Sequence, residues 1–301
     1  MLIDGLMSPE TGQFSDLQPG GGSLPLPGKT TVSILFNEPR RNMIMELAQL
    51  TLSLAGATTL ALAMLTPMAA NAASVKNVVL VHGAFADGAG WRDVYDKLTE
   101  RGYNVKIVQN PLTSLDDDVA ATNRLLDLQN GPTILVGHSW GGTVITEAGI
   151  HPKVAGLVYV SAFSPDAGET SAQQYEGFAP TPDFVLEVGK DGFGFIKRDK
   201  FKQGFAHDVS DAQAAFMGDS QVPINMSSFS TKLKNAAWRS KPSWAVIATE
   251  DKAFDQAMLV HMAERIGAKV TKVSASHALF ITRATEIADT IDGAAKSLAS
   301  N

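Results

Sequence analysis

A serine between glycines is the first feature of this sequence that could do covalent chemistry. Residues 137–141 read Gly-His-Ser-Trp-Gly, which fits the pattern G-x-S-x-G, and an apolar run precedes them while a helical pattern follows. Ser139 is therefore predicted at a sharp strand-to-helix turn. There its hydroxyl would project above a sheet and attack a carbonyl carbon once a base removes its proton. The alternative is a serine that only caps the helix.

A base and an acid to orient it follow Ser139 in the chain. Of the six histidines, His277 alone follows a strand-like run that lies late in the chain. Asp251 directly follows the preceding strand-like run, and a carboxylate there can fix the tautomer of the imidazole and stabilise its charged form. Glu250 is the alternative acid, and we favour Asp251 because the strand is predicted to end at Thr249. These residues predict a Ser139–His277–Asp251 catalytic triad.

Backbone amides are predicted to hold the oxyanion that attack on a carbonyl would create. The N–H of Trp140 lies at the positive end of the helix that follows Ser139. The loop after the first predicted strand supplies a second amide, that of Ala84 or, as the alternative, Phe85. His82 opens that loop, and we interpret it as hydrogen-bonding within the loop without a part in proton transfer. The predicted reaction is ester hydrolysis through an acyl-enzyme.

Composition excludes several other kinds of function. The chain has no cysteine, and its histidines are dispersed without a ligand spacing, so we expect no metal site and no thiolate nucleophile. The formal net charge is −6 and no basic stripe is present, which argues against a nucleic-acid partner. Hydrophobic residues make up 45% of the 301 positions, enough for one sizeable core.

The elements that must position these residues alternate along the chain. Such alternation predicts an α/β fold with a mostly parallel sheet of about six strands flanked by helices, and with ligands bound beyond the carboxyl ends of the strands. The predicted strands cover residues 77–83, 104–109, 133–139, 154–163, 243–249 and 268–276, and the predicted helices cover 91–101, 116–129, 140–150, 253–266 and 284–299.

One long stretch, residues 164–240, interrupts this alternation. It holds no clear βα unit but is rich in aromatic residues and methionine, so we interpret it as an inserted cap over one end of the sheet. Its large apolar residues are Phe178, Phe184, Phe193, Phe195, Phe201, Phe205, Phe216, Met217 and Met226. An apolar cap favours uncharged acyl or aromatic esters, although such residues serve packing more often than pockets.

The amino-terminal residues have the composition of targeting segments. Residues 1–42 are rich in glycine and proline, and we expect a disordered or non-native extension there. Residues 43–73 follow two arginines and combine an apolar run with an Ala-Asn-Ala triplet, which predicts a signal peptide, with a retained membrane anchor as the alternative. Translation from Met43 or Met45 would place it at the start. Residues 74–301 then form an exported, periplasmic or secreted hydrolase domain without stable membrane association.

Five motifs in this order carry a family resemblance: LVHGAFADGAGW, VGHSWGG, YVSAFSPDAGE, ATEDKAF and SASHALF. They resemble the α/β-hydrolase superfamily, specifically small bacterial esterases similar to plant methylesterases and hydroxynitrile lyases. The resemblance covers most of residues 74–301 and implies the same triad, no cofactor and a cap that selects the substrate. The lyases typically carry threonine and lysine where this chain has Gly83 and Ala278, which makes cyanohydrin cleavage a weaker expectation.

The function expected from the sequence is therefore that of a serine hydrolase. Its substrates are expected to be carboxylic esters of small, largely apolar molecules, which are the predicted partners. A lactonase or amidase with the same triad is the alternative within enzymes. A non-catalytic ligand receptor is the alternative outside them, because some proteins of this fold have lost catalysis.

Overall fold

A six-stranded parallel sheet forms the centre of the computed structural model, which describes residues 75–299. Its strand order is β2-β1-β3-β4-β8-β9, and every neighbouring pair is parallel, as the sequence predicts. Within the described residues the strands are β1 (Asn77–Val81), β2 (Asn104–Ile107), β3 (Thr133–His138), β4 (Val154–Val160), β5 (Leu186–Val188), β6 (Phe193–Ile196), β7 (Ile224–Asn225), β8 (Ser243–Ala248) and β9 (Lys269–Val273).

Helices fill the connections between these strands. They are α1 (Arg92–Glu100), α2 (Leu115–Asp127), α3 (Trp140–Ala148), α4 (Phe201–Phe205), α5 (Asp211–Asp219), α6 (Gln256–Arg265), α7 (Leu279–Thr282) and α8 (Ala284–Ala299). Short 3-10 helices lie at Gly88–Trp91, Ala172–Tyr175, Arg198–Lys200, Met226–Ser230 and Ala237–Arg239. Helices α1 and α8 pack against each other, as do α2 and α3.

The central strands are buried along nearly their whole length, and the edge strands are not. Residues of β1, β3 and β8 are buried throughout, which is what near-continuous apolar runs predict for strands covered on both faces. Edge strand β9 has four exposed residues, among them Lys269 and Lys272, and lysine on an edge discourages pairing with another chain.

Strand β4 is shorter than the predicted range 154–163. It ends at Val160 because Ser161 adopts φ +38°, which leaves the extended conformation. The Ser161 hydroxyl then accepts a hydrogen bond of 3.0 Å from the N–H of Ala248 on β8. The carboxyl ends of β4 and β8 are thereby joined, close to the edge of the sheet where the sequence predicts the site.

The segment predicted as a cap, residues 164–240, contains a small sheet of its own. Strands β5, β6 and β7 pair antiparallel in that order, and α4 and α5 lie between β6 and β7. Its aromatic residues divide between packing and exposure: Phe201 and Phe205 are fully buried, whereas Phe216 is 72% exposed. Part of the aromatic content of this segment therefore packs into the hydrophobic core that includes the central sheet.

The predictions for residues 1–42 and 43–73 lie outside the described residues and stay predictions. Between residues 75 and 299, no helix combines the length and the apolar character needed to cross a bilayer.

Candidate active site

Ser139 occupies a strained turn between β3 and α3. Its backbone angles are φ +52° and ψ −119°, a region that residues other than glycine rarely enter. Two hydrogen bonds to the end of β4 and the residues after it hold this conformation. The N–H of Ser139 donates to the carbonyl oxygen of Val160 at 3.2 Å, and the carbonyl oxygen of Ser139 accepts from the N–H of Phe163 at 3.2 Å. The turn predicted from the motif is thus present.

The glycines around Ser139 allow backbone segments to approach closely. A Cβ atom on Gly142 would lie 2.2 Å from the carbonyl oxygen of Phe163, and one on Gly137 would lie 2.4 Å from the carbonyl oxygen of Gly141. Real Cβ atoms do not come so near to backbone oxygens, so any larger residue would push α3 away from the sheet. Strand and helix can therefore meet tightly enough to force the turn.

His277 and Asp251 form a buried pair. The imidazole Nδ1 donates to Asp251 Oδ2 at 2.7 Å, and the two side chains are 1% and 0% exposed. The other carboxylate oxygen, Oδ1, accepts from the backbone N–H groups of Ala253 at 2.8 Å and Phe254 at 2.9 Å. Both oxygens of Asp251 are thus fixed by partners. This arrangement sets the tautomer of His277 and leaves its Nε2 without a hydrogen bond inside the described chain.

Glu250, the alternative acid, points elsewhere. Its carboxylate accepts a hydrogen bond from the hydroxyl of Ser274, and its backbone carbonyl accepts one of 2.9 Å from Nε2 of His207. We call residues 249–255 the acid loop. Within this loop the structure pairs His277 with Asp251 alone.

His138, the second residue of the serine motif, supports His277 directly. Its Nε2 donates a hydrogen bond of 2.9 Å to the backbone carbonyl of His277, and the two ring centres lie 4.7 Å apart. Complete burial lowers the pKa of His138 well below its ordinary value, so the ring stays neutral. We call residues 274–282 the histidine loop. The hydrogen bond from His138 to His277 was not predicted, because the two residues stand far apart in the chain.

The end of α4 and the turn after it also hold the histidine loop. The N–H of Ala278 donates to the carbonyl of Phe205 at 3.0 Å. Asp208 Oδ2 accepts from the N–H of Ser276 at 3.1 Å and from the hydroxyl of Thr282 at 2.7 Å. Burial opposes ionisation of Asp208, but these hydrogen bonds keep its pKa below the ordinary value. A segment of the predicted cap therefore fixes the loop that carries the candidate base.

The predicted oxyanion residues lie beside Ser139. Ala84 and Phe85 line the same cavity as Ser139, and the hydrogen bonds of residues 75–299 use neither of their backbone N–H groups. Phe85 has φ +63°, and its ring meets that of Phe184 edge-on at 6.0 Å. The N–H of Trp140 is the first of helix α3 and therefore has no partner within the helix.

His82 has the loop role expected for it. Its Nδ1 donates to the carbonyl of Gly83 at 2.8 Å, and its Nε2 accepts from the N–H of Asn110 at 2.9 Å. Burial lowers the pKa of this imidazole, which keeps it neutral. With both ring nitrogens occupied, His82 positions the loop that carries Ala84.

A buried acid holds the side chain of Trp140. Asp118 on α2 is fully buried and accepts two hydrogen bonds of 2.8 Å, from the indole N–H of Trp140 and from the backbone N–H of Leu112. Burial raises the pKa of Asp118 to about 6, although both hydrogen bonds act in the opposite direction. The role of Asp118 was not predicted. Its helical spacing from Leu115 and Thr122, which are also buried, is the signal that could have found it.

A cavity of about 280 Å³ opens above Ser139. This volume lies near the lower end of the range for small-molecule pockets. Apolar and aromatic residues predominate in its lining, which comprises Ala84, Phe85, Ser139, Phe163, Ala172, Tyr175, Thr181, Phe184, Leu186, Met226, Phe229, Ala253, Phe254 and His277. Both Ser139 and His277 therefore face the same space. Among residues 75–299, no cluster of three or more histidines and carboxylates is arranged to hold a metal ion.

Comparison with known sequences identifies related proteins. The model of the alpha/beta hydrolase family matches residues 78–290. A carbendazim hydrolyzing esterase from Nocardioides sp. (strain SG-4G) is 33% identical over 108 residues, a match that spans 31% of this chain and only 45% of that esterase. The alpha/beta hydrolase nvfD from Aspergillus novofumigatus (strain IBT 16806) is 24% identical over 213 residues, 62% of this chain and 83% of the relative.

Solved structures share the fold. A pyrethroid hydrolase from Sphingobium faniae JZ-2 has a TM-score of 0.64 at 22% identity, covering 75% of this chain and all of its own. Polyneuridine aldehyde esterase has a TM-score of 0.64 at 17% identity, covering 73% of this chain and 98% of its own. An extracellular alpha/beta-hydrolase from a Paenibacillus species has a TM-score of 0.61 at 18% identity, covering 72% and 98%. At these identities the likeness establishes the fold.

Proposed function

Because the chain belongs to the alpha/beta hydrolase family, we propose that it hydrolyses carboxylic esters through an acyl-enzyme formed on Ser139. One observation carries this proposal: a serine on a strained turn and a histidine bound to a buried carboxylate face one apolar cavity. A serine that only capped a helix would need neither partner. The names of the related esterases and hydrolases support the same reaction class.

In the first half of the reaction Ser139 attacks the ester. Nε2 of His277 accepts the proton of the hydroxyl while the oxygen bonds to the carbonyl carbon, which gives a tetrahedral intermediate. The N–H groups of Trp140 and Ala84, with Phe85 as the alternative, stabilise the oxyanion. Asp251 stabilises the imidazolium through the hydrogen bond of 2.7 Å to Nδ1.

In the second half the intermediate collapses and the acyl group is released. His277 gives its proton to the leaving alcohol oxygen as the carbon–oxygen bond breaks, and the acyl group remains on Ser139. His277 then accepts a proton from water, which attacks the acyl-enzyme. Protonation of the serine oxygen releases the acid and restores the enzyme.

The cavity supports uncharged, largely apolar esters as substrates. Its lining contains no lysine or arginine that could pair with a carboxylate or phosphate group on the substrate. Phenylalanines from the sheet loops and from residues 164–240 enclose it, so a substrate must present an apolar body. Two similar proteins are named for the hydrolysis of carbendazim and of a pyrethroid.

Gly83 bears on the lyase alternative. A Cβ atom at this position would lie 2.8 Å from the Cβ of Ser139. The threonine that the lyases typically carry there would not fit this backbone, and Ala278 replaces their lysine. Hydrolysis is therefore the better supported chemistry.

The test is ester turnover that depends on Ser139. We expect the wild type to hydrolyse p-nitrophenyl acetate or butyrate and to be labelled by a fluorophosphonate at Ser139, as read by mass spectrometry of the labelled peptide. Ser139→Ala should lose both activities. Ser297→Ala, a hydroxyl deletion on α8 outside the cavity, should keep both. Undiminished turnover in Ser139→Ala would exclude the acyl-enzyme mechanism.

We also propose that the protein is exported after cleavage of the signal peptide predicted in residues 43–73. Amino-terminal sequencing of protein recovered outside the cytoplasm should find a start close to residue 73. An intact chain that remains in the cytoplasm would contradict the proposal.

A further inference from the structure

Tyr175 is a polar residue of the cavity lining that the reaction above does not use. It ends the short 3-10 helix Ala172–Tyr175 in the predicted cap. Its ring packs edge-on against Phe163 at 5.6 Å and Phe254 at 5.8 Å between centroids. Even so, 37% of the residue remains exposed, so part of its surface is open to the cavity that it lines.

The hydroxyl of Tyr175 has no hydrogen-bond partner among residues 75–299. The other polar side chains of the lining are occupied. Ser139 and His277 carry the reaction, and the hydroxyl of Thr181 donates to the carbonyl of Ala253 at 3.4 Å. Tyr175 therefore brings an unused donor to an otherwise apolar cavity.

One phenylalanine ring, that of Phe254, links Tyr175 to the candidate catalytic base. The ring of Phe254 contacts both Tyr175 and His277, with a centroid distance of 4.9 Å to the imidazole. Burial, together with the nearby charge of Asp251, holds the pKa of the Tyr175 phenol above its ordinary value. The phenol therefore stays protonated at the pH values at which esterases work. Its hydroxyl can then donate a hydrogen bond or accept one through its oxygen.

The rings that contact Tyr175 are those of Phe163 and Phe254, which carry no polar group. The hydroxyl of Tyr175 therefore offers a hydrogen bond that these neighbours cannot accept. A ligand in the cavity that carries an acceptor atom can form this hydrogen bond.

On the basis of the proposed ester hydrolysis, we propose that Tyr175 determines specificity by donating a hydrogen bond to an acceptor atom of the substrate. The preferred esters then carry, besides the ester group, an ether oxygen, a carbonyl or a ring nitrogen on the part held near His277. Esters of pure hydrocarbon shape bind the same cavity without this hydrogen bond.

The test compares two proteins and a matched set of aryl acetates. The wild type and Tyr175→Phe are assayed at pH 8 with 2-naphthyl acetate and with quinolinyl acetates whose ring nitrogen occupies different positions. For each ester the ratio of kcat/KM between the two proteins is taken, so that intrinsic ester reactivity cancels. Tyr95→Phe removes a hydroxyl outside the cavity and serves as the control variant.

We expect at least one quinolinyl ester to lose about 2- to 12-fold more kcat/KM than the naphthyl ester in Tyr175→Phe, the factor given by one net hydrogen bond. Equal ratios for every ester would overturn the proposal. Tyr95→Phe should keep the wild-type kcat/KM for every ester, because its hydroxyl lies outside the cavity. If the wild type showed no turnover that depends on Ser139, the proposed ester hydrolysis itself would be refuted. Failure of the specificity proposal and failure of the proposed function are therefore distinguishable.

Discussion

Replacing Asp118 with asparagine tests whether this carboxyl group resists ionisation in the folded protein. The side chain is fully buried below Trp140, and its pKa rises from 3.8 to about 6 because burial outweighs the two hydrogen bonds that it accepts. Asparagine has nearly the same shape and does not titrate. The difference in unfolding free energy between wild type and Asp118→Asn therefore isolates the titration of Asp118 from that of every other group.

The expected size and sign of this difference follow from linkage. Between pH 3.8 and about 6 the folded chain retains a proton that the unfolded chain has released. Unfolding then becomes easier as the pH rises, by about 1.4 kcal/mol per pH unit, or about 3 kcal/mol over this interval. The stabilising contribution is complete below pH 3.8 and is lost as the pH rises through about 6.

Urea unfolding followed by tryptophan fluorescence at pH values from 4 to 8 would measure this difference. Between pH 4 and pH 8, the unfolding free energy of the wild type should fall by about 3 kcal/mol relative to that of Asp118→Asn. Asp116→Asn changes the same group on the exposed side of α2 and should alter stability by less than about 0.5 kcal/mol. A flat difference for Asp118→Asn would show that burial does not raise the pKa. A difference of opposite slope would show that the hydrogen bonds dominate.

Asp118→Asn should also affect catalysis, because its amide can accept only one of the two hydrogen bonds. Trp140 would then lose its fixed position, and in the proposed mechanism its backbone N–H acts only once the oxyanion forms. We expect kcat for p-nitrophenyl butyrate to fall about 10-fold with little change in KM. A rise in KM at constant kcat would place the effect in substrate binding instead.

Substitutions at three further positions probe the positioning of the proposed triad. Asp251→Asn should lower kcat by about 10³- to 10⁴-fold, because an amide facing His277 favours the wrong tautomer; steady-state assays would measure it, and near-normal kcat would exclude an orienting role. Gly142→Ala should cost about 3 kcal/mol in urea unfolding, since its Cβ would meet the Phe163 carbonyl; unchanged stability would mean that α3 can shift. Asp208→Ala removes both hydrogen bonds to the histidine loop and should lower kcat roughly 10-fold. Asp208→Asn keeps an oxygen that can accept these hydrogen bonds, so its kcat should recover. An equal loss of kcat in both variants would indicate an effect of the charge instead.

The central sheet and the strand ends that carry the candidate site residues could be predicted because local sequence determines them. Strands buried on both faces must be apolar throughout, so β1, β3, β4 and β8 stand out as runs. The turn at Ser139 needs glycine at positions 137, 141 and 142, where backbone segments approach closely, and this restriction is visible as the motif. The candidate acid and the candidate base for Ser139 were then found just after the last two predicted strands.

The roles of the supporting residues were not predicted, because they depend on contacts between distant parts of the chain. His138 reaches His277 across 139 positions, and nothing near either residue indicates that hydrogen bond. Asp118 stands in a run of three aspartates that reads as an exposed helix start. Of the three carboxyl groups, only that of Asp118 lies on the buried face of helix α2.

The small sheet of the predicted cap escaped prediction for a different reason. Its strands β5, β6 and β7 have three, four and two residues. Alternation with a period of two cannot be recognised over such lengths. Tertiary packing, rather than local pattern, decides the structure of this segment.

The turn after α4 limits how freely this protein can be recombined with its relatives. Residues 205–208 join the acid loop through His207 and the histidine loop through Phe205 and Asp208. A chimera that exchanged all of residues 164–240 to gain a new substrate range would also replace the groups that align the base with its acid. Grafts that keep this turn and vary the lining around Phe184 and Met226 would change selectivity without disturbing proton transfer.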